Sequence, residues 1–215
     1  EVFAVGGQEM ECLGSGGDPE VVLRAAEEKK SELEARLSGA SLVFIMAGLG
    51  GGTASALAPL VAEIAVAQGA LVFAFVSLPF GMEGARRGTQ AKEALSALRS
   101  SGAVVVALPN DLLMRHAPEG TSPTLAMETT DRHMAKGIRG LTGMIYSPGL
   151  MEVDFGNLKK TLQQSKNAKT LFAWGEGVGA QALAQVYGEI TACPLLQAAE
   201  VARSADHLVL SLKVS

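Results

Sequence analysis

A chain of 215 residues, 48% apolar and 19% charged, can bury one large core, or one core and part of a second, and it carries no run of roughly 18 apolar residues; disorder and a membrane span are thereby disfavoured. Its net charge of -4, with basic residues scattered among acids, argues against a nucleic-acid partner. Cys12 and Cys193, far apart and without metal-ligand spacing, suit buried thiols in a reducing cytoplasm better than a disulfide framework or a sulfur-ligated metal.

Glu1 opens the chain without an initiator Met or a secretory signal, as expected of a fragment, a processed chain or a trimmed one. The first helix is predicted over 18 to 38, "DPEVVLRAAEEKKSELEARLS", with Asp18 as N-cap and Pro19 at the first helical position. Three apolar, β-branched-rich runs bounded by Gly or Pro follow: "SLVFIMAG" (41 to 48), "ALVFAFVSLP" (70 to 79) and "AVVVALPN" (103 to 110). They read as central parallel strands buried on both faces. Helices expected at 53 to 68 and 83 to 100 supply the crossovers, which gathers the loops at the carboxyl ends of the strands, where open α/β sheets bind ligands. Beyond Asn110 the rhythm changes to a long helix from Ser122 to about Tyr146, broken by Pro148 and Gly149. A polar helix from Asp154 to about Asn167, a strand at 170 to 177, a helix from about Gly179 to Thr191 and a last strand at 207 to 214 complete the reading. Two strands cannot form an independent core, so this part is expected to be the first half of a second domain.

The stretch "MAGLGGGTASALAP" (46 to 59) ends a strand in glycines and opens a helix. Such a turn offers backbone N–H groups and the positive end of a helix dipole to an anion, and phosphate is the anion this chemistry suits. A tight strand-to-helix turn without a ligand would use the same residues. A Walker loop is ruled out because no Lys precedes Thr53, and a dinucleotide fingerprint because Thr stands at 53 and no acid ends the next strand. What remains is Gly-Gly-Gly-Thr-x-Ser.

"AGLGGGTASALAPLVAEIA" (47 to 65) resembles the signature loop of the tubulin/FtsZ superfamily, most of all its FtsZ branch of bacterial cell-division GTPases. "LGSGGDPEV" (13 to 21) resembles the family's γ-phosphate-side loop, "LPFGMEGARR" (78 to 87) its ribose loop, "LPNDLLM" (108 to 114) its loop near the base, "DRHMAKGIRGL" (131 to 141) its central helix, and "PGLMEVDFGNLKKTL" (148 to 162) the loop that reaches the next subunit's nucleotide. The resemblance implies a Rossmann-like parallel α/β GTPase domain with its central helix over 1–147, and the inter-subunit loop with part of a second α/β domain over 148–215. It also implies that the family's first strand and first glycine loop would precede Glu1, and that further strands would follow the last one here.

By the same resemblance, Gly50, Gly51, Gly52, Thr53 and Ser55 would hold the phosphates, with Ala54 and Ala56 where the family usually has Gly. Gly14, Ser15, Gly16 and Gly17 would meet the γ-phosphate, and Glu83 and Arg87 the ribose; a turn before a capped helix and a surface ion pair are the structural alternatives. Asn110 would sit near the sugar or base. Asp131 would accept from the N1–H and 2-amino group of guanine, and Met127, where FtsZ commonly has Phe, is either a base contact or core. Glu152, Asp154 and Asn157 occupy the positions of the catalytic loop, where an amide at Asn157 replaces the second aspartate, so hydrolysis is expected to be slow or absent. His133 is expected to be packed or solvated, and Trp174 to be core.

The implied function is GTP-dependent assembly into head-to-tail cytoplasmic filaments, with GTP/GDP and Mg²⁺ as cofactors and the chain itself as partner. Division or membrane-tethering proteins would act through a tail outside this chain, with no direct membrane insertion and no nucleic acid. A nucleotide-dependent filament or scaffold without turnover is the alternative, and a nicotinamide-dependent oxidoreductase a remote third.

Overall fold

The computed structural model describes residues 4–5, 16–146, 154–164, 170–197 and 205–212. They form two compact units, the first running through Pro109 and the second beginning at Asn110. No described helix is long and apolar enough to cross a membrane.

In the first unit three parallel strands, β1 (Leu42–Gly48), β2 (Leu71–Leu78) and β3 (Val104–Pro109), lie in the order β1-β2-β3. Register runs Leu42 to Leu71 through Gly48 to Ser77 on one side of β2, and Phe73 to Val104 through Leu78 to Pro109 on the other. The crossovers are α3 (Gly52–Ala67) and α4 (Ala85–Ser100), and α1 (Pro19–Glu28) packs on α3. Val72, Ala74 and Val76 of β2 meet Ala58, Ala62 and Ala65 of α3 and Leu98 of α4 in one core, where small side chains let helix and sheet approach closely.

Two expectations for this unit change. Only β2 has a described neighbour on both sides and is buried along six successive residues, whereas β1 lies at the edge of the described sheet and leaves Met46 54% exposed. The helix expected over 18 to 38 is two: α1 ends at Glu28 and α2 (Lys30–Leu37) starts after Lys29, whose ψ of 10 leaves the helical range. A continuous helix would put Lys29 on the line of the buried Val22, Ala26 and Leu33. The break lets its ammonium donate to the Ala4 carbonyl at 2.9 Å. The start of the first helix is as read, with Asp18 Oδ1 accepting from the Glu20 N–H at 2.9 Å and Pro19 next.

In the second unit α5 (Asn110–Arg115) packs on α6 (Pro123–Tyr146), the long helix expected, which Ser122 caps by accepting from the Leu125 N–H at 3.2 Å. Then come α7 (Phe155–Gln164), α8 (Ala182–Thr191) and α9 (Pro194–Gln197). The strand expected at 170 to 177 is a single bridge at Thr170 followed by irregular chain. Its N–H groups go to helix side chains instead of a strand: Glu176 N–H to Glu189 Oε2 at 2.9 Å, and Val178 N–H to Gln185 Oε1 at 3.0 Å. Gly175 and Gly177 lie so close to the α8 backbone at Val186 and Ala182 that no Cβ fits. The last strand is likewise unpaired over its described residues, 207 to 212, with Leu208, Leu210 and Leu212 all exposed. Trp174 is half-buried rather than core: the Lys136 ammonium lies 3.1 Å from its ring centroid and His133 meets it edge-on. Cys193 is a buried free thiol, while Cys12 lies outside the described residues.

Candidate functional site

At the carboxyl end of β1 the chain turns into α3 through Leu49, Gly50 and Gly51. The Leu49 N–H donates to the Ser77 carbonyl of β2 at 2.9 Å, and the Gly50 N–H to Ser55 Oγ at 2.9 Å. Gly50 has a φ of +105, and a Cβ there would lie 3.1 Å from both the Arg87 carbonyl and Pro79 Cγ. Glycine is favoured, because the conformation is one that side chains rarely adopt and a Cβ would push its neighbours aside by a few tenths of an ångström. Gly51 is different: its φ is -90, and a Cβ on it would meet nothing within 4 Å. The fold itself does not need glycine there.

Gly51 is the N-cap of α3 and provides no side-chain cap, so the N–H groups of the first turn have no helical acceptor. In that turn Thr53 is exposed, whereas Gly52 is buried and Gly51 and Ala54 are partly buried. Helix-start donors with a dipole behind them, beside open space at Gly51, are the elements from which an anion site is built. Ser55, in contrast, is buried and ties the loop to the helix.

The start of α4 adjoins this loop through the Arg87 carbonyl, and the turn before α1 in turn adjoins α4. Gly16 and Gly17 have φ of +57 and +82, and the Gly17 carbonyl accepts from Gln90 Nε2 at 3.0 Å and Arg86 Nη2 at 3.3 Å. Sequence reasoning does not single out these two residues of α4, one helical turn apart; their i, i+4 spacing on a polar face is the available signal. Glu83 closes a 3₁₀ turn by accepting from the Phe80 N–H at 2.8 Å, and its other oxygen pairs with Arg87 at 2.6 Å. Helix α4 thus starts at Ala85, after Gly84 at φ +99, and the surface ion pair read as the alternative for Glu83 and Arg87 is formed. Gly50 through Ser55, Gly16, Gly17, Glu83 and Arg87 all belong to the first unit.

The second unit holds its own group. Asn110 is buried, and its side-chain oxygen lies 3.0 Å from Thr130 Oγ1. Thr130, also buried, is the functional candidate that sequence reasoning missed, since a threonine inside a helical pattern gives no signal of its own. Met127 and Asp131 flank it one turn apart on the exposed side of α6. Met127 is 43% exposed, so of its two readings core is excluded. Asp154 caps α7: its Oδ1 accepts from the Gly156 N–H at 2.8 Å and its carbonyl from the Leu158 N–H at 2.9 Å. Asp154 and Asn157 are both exposed. Ser15 and Glu152 lie outside the described residues.

The fold is that of a parallel α/β protein with a glycine-rich strand-to-helix turn at the carboxyl end of β1. The profile of the Tubulin/FtsZ family, GTPase domain, matches residues 1–118. The empty FtsZ dimer of M. jannaschii superposes with a TM-score of 0.76 at 34% identity, over 85% of this chain and 52% of that one. This chain belongs to the Tubulin/FtsZ family. Two further structures share the fold: CetZ from Methanosaeta thermophila (TM-score 0.62, 18% identity, 77% of this chain and 46% of that one) and the GDP-bound monomer of CetZ1 from Haloferax volcanii (TM-score 0.52, 22% identity, 69% and 44%). The chain spans about half the length of these solved relatives.

Proposed function

We propose that this chain is the GTP-binding part of an FtsZ-like cytoskeletal protein that assembles head-to-tail into filaments. The observation that carries the reading is the loop before α3: Gly51 opens onto free space, and the first-turn N–H groups of a buried helix have no helical acceptor, in a chain of this family. That arrangement fits a phosphate chain. Gly51, Gly52 and Thr53 would hold the phosphates, with Gly50 and Ser55 fixing the loop and Ser15, Gly16 and Gly17 beside the γ-phosphate. Glu83 and Arg87 would meet the ribose. The carboxylate of Asp131 would read the two donors of guanine, with Met127 against the base and Asn110 near the sugar. Mg²⁺ would arrive with the phosphates, as it commonly does with few protein ligands; no group of three or more His, Cys, Asp or Glu gathers among the described residues.

The loop from Glu152 to Asn157 would complete the site of the next subunit, which makes hydrolysis depend on assembly. The contact is heterologous and does not close, so filaments result. In this reading the GTP-binding part runs to about residue 147 and the inter-subunit part begins at 148. A cytoplasmic role in cell division, with tethering through a tail, follows from the FtsZ likeness.

A second reading rests on Asn157, whose amide orients water but is not an effective base at neutral pH. It makes the filament a scaffold with little turnover. Phosphate release from GTP, measured against protein concentration in Mg²⁺ buffer, separates the two. A specific rate that climbs above a threshold concentration supports the shared site; filaments that persist in GTP with flat phosphate release support the scaffold.

A further inference from the structure

The first unit carries a groove of about 320 Å³ between α1, α3 and α4. Its apolar lining includes Leu23, Pro59, Leu60, Ala94 and Ala97, of which Leu23 is 42% exposed. No Lys or Arg lines it. Its polar lining is rich in acceptors. Glu63 and Glu93 are exposed and have no ion pair among the described residues. Gln90 turns its amide nitrogen to Gly17 and keeps its amide oxygen. Pro59 brings no N–H to the Ser55 carbonyl one turn back, so that carbonyl lacks its regular helical donor.

An apolar floor with an acidic rim is complementary to an apolar body bearing donors and positive charge. From Ser55 to Glu63 the groove follows two turns of α3, about 12 Å at the helical rise. That is the length over which an amphipathic helix presents anchors at i, i+4 and i+7. We propose that this groove docks a basic amphipathic helix of a partner protein, with leucine-like side chains on the floor and Lys or Arg at Glu63 and Glu93. A second copy of the chain fits less well, because its basic helices α4, α6 and α7 already bury Leu98, Met134 and Leu158 within their own units. The occupant would lie against Ser55, whose hydroxyl holds the Gly50 N–H, and so touch the tie of the glycine loop.

The test is an NMR and calorimetric titration of the 215-residue chain with an amidated peptide of about 15 residues, long enough for marginal helicity, built of Ala, Leu at helical spacing and flanking Arg. The expected result is micromolar binding, with shifts at Leu23, Leu60 and Ala94. Affinity falls about fivefold in the Glu63→Gln/Glu93→Gln double variant, as two exposed charge pairs allow. Leu23→Lys, at an exposed position that the fold tolerates, abolishes binding. Shifts centred elsewhere, unchanged affinity in the double variant, or equal binding of the Glu-for-Arg peptide would overturn the proposal. Equal affinity for hexylamine would also overturn it, in favour of a small amine. None of these readouts depends on nucleotide.

Discussion

Gly50 and Gly51 are neighbours with opposite reasons to be glycine, and replacing each by Ala separates fold from function. At Gly50 the φ of +105 is strained for Ala, and the added Cβ would sit 3.1 Å from the Arg87 carbonyl and from Pro79 Cγ, neither of which is the end of a flexible chain. Backbone strain of about 1–3 kcal/mol, plus displacement of β2's exit and the start of α4, gives an expected loss of about 3 kcal/mol for Gly50→Ala. In urea, with a slope of about 2 kcal/mol per molar, the midpoint falls by about 1.5 M. Gly51→Ala, at φ -90 with nothing within 4 Å, is expected to lower the midpoint by no more than about 0.5 M, because the reduced freedom of the unfolded chain offsets much of the loss of a better N-cap. Its effect belongs to the ligand: the methyl group stands where phosphate would approach, and GTP affinity falls about tenfold or more, the equivalent of one charge-assisted hydrogen bond. Equal destabilisation by both substitutions, or a Gly51→Ala protein that binds GTP as well as the parent, would refute the assignment.

Ser55→Ala removes the acceptor of the Gly50 N–H at a buried position, and urea unfolding should show a loss of about 1–3 kcal/mol. Thr130→Val deprives buried Asn110 of its hydroxyl partner; the expected cost is about 1–3 kcal/mol, with weaker GTP binding, whereas Thr130→Ser keeps both near the parent. Asn157→Asp, on the exposed first turn of α7, should raise phosphate release without moving the critical concentration for assembly; no gain with intact filaments would count against a catalytic place for residue 157.

The parallel core was legible because periodicity and punctuation agreed there: β-branched runs bounded by Gly or Pro fall on β1, β2 and β3 within a residue or two. The cap at Asp18 and the long helix after Ser122 were equally local. What sequence could not supply was partnership. The break at Lys29 reflects which face α1 and α2 must bury, and the segment after Thr170 is no strand because Glu189 and Gln185 take its N–H groups. In the candidate site the glycine loop was recognisable from its composition, yet composition could not tell structural Gly50 from open Gly51. Nor could it show Thr130 behind Asn110, a contact across 20 residues of chain.

Calorimetric titration of the chain with GTP and with ATP, alongside the amide resonances of Gly51, Gly52, Thr53 and Ala54, tests the central claim most directly. The account predicts GTP binding about tenfold or more tighter than ATP, shifts centred on those four amides, and loss of the preference in Asp131→Ala. Equal affinity for the two nucleotides, or binding that leaves these amides unmoved, would contradict it.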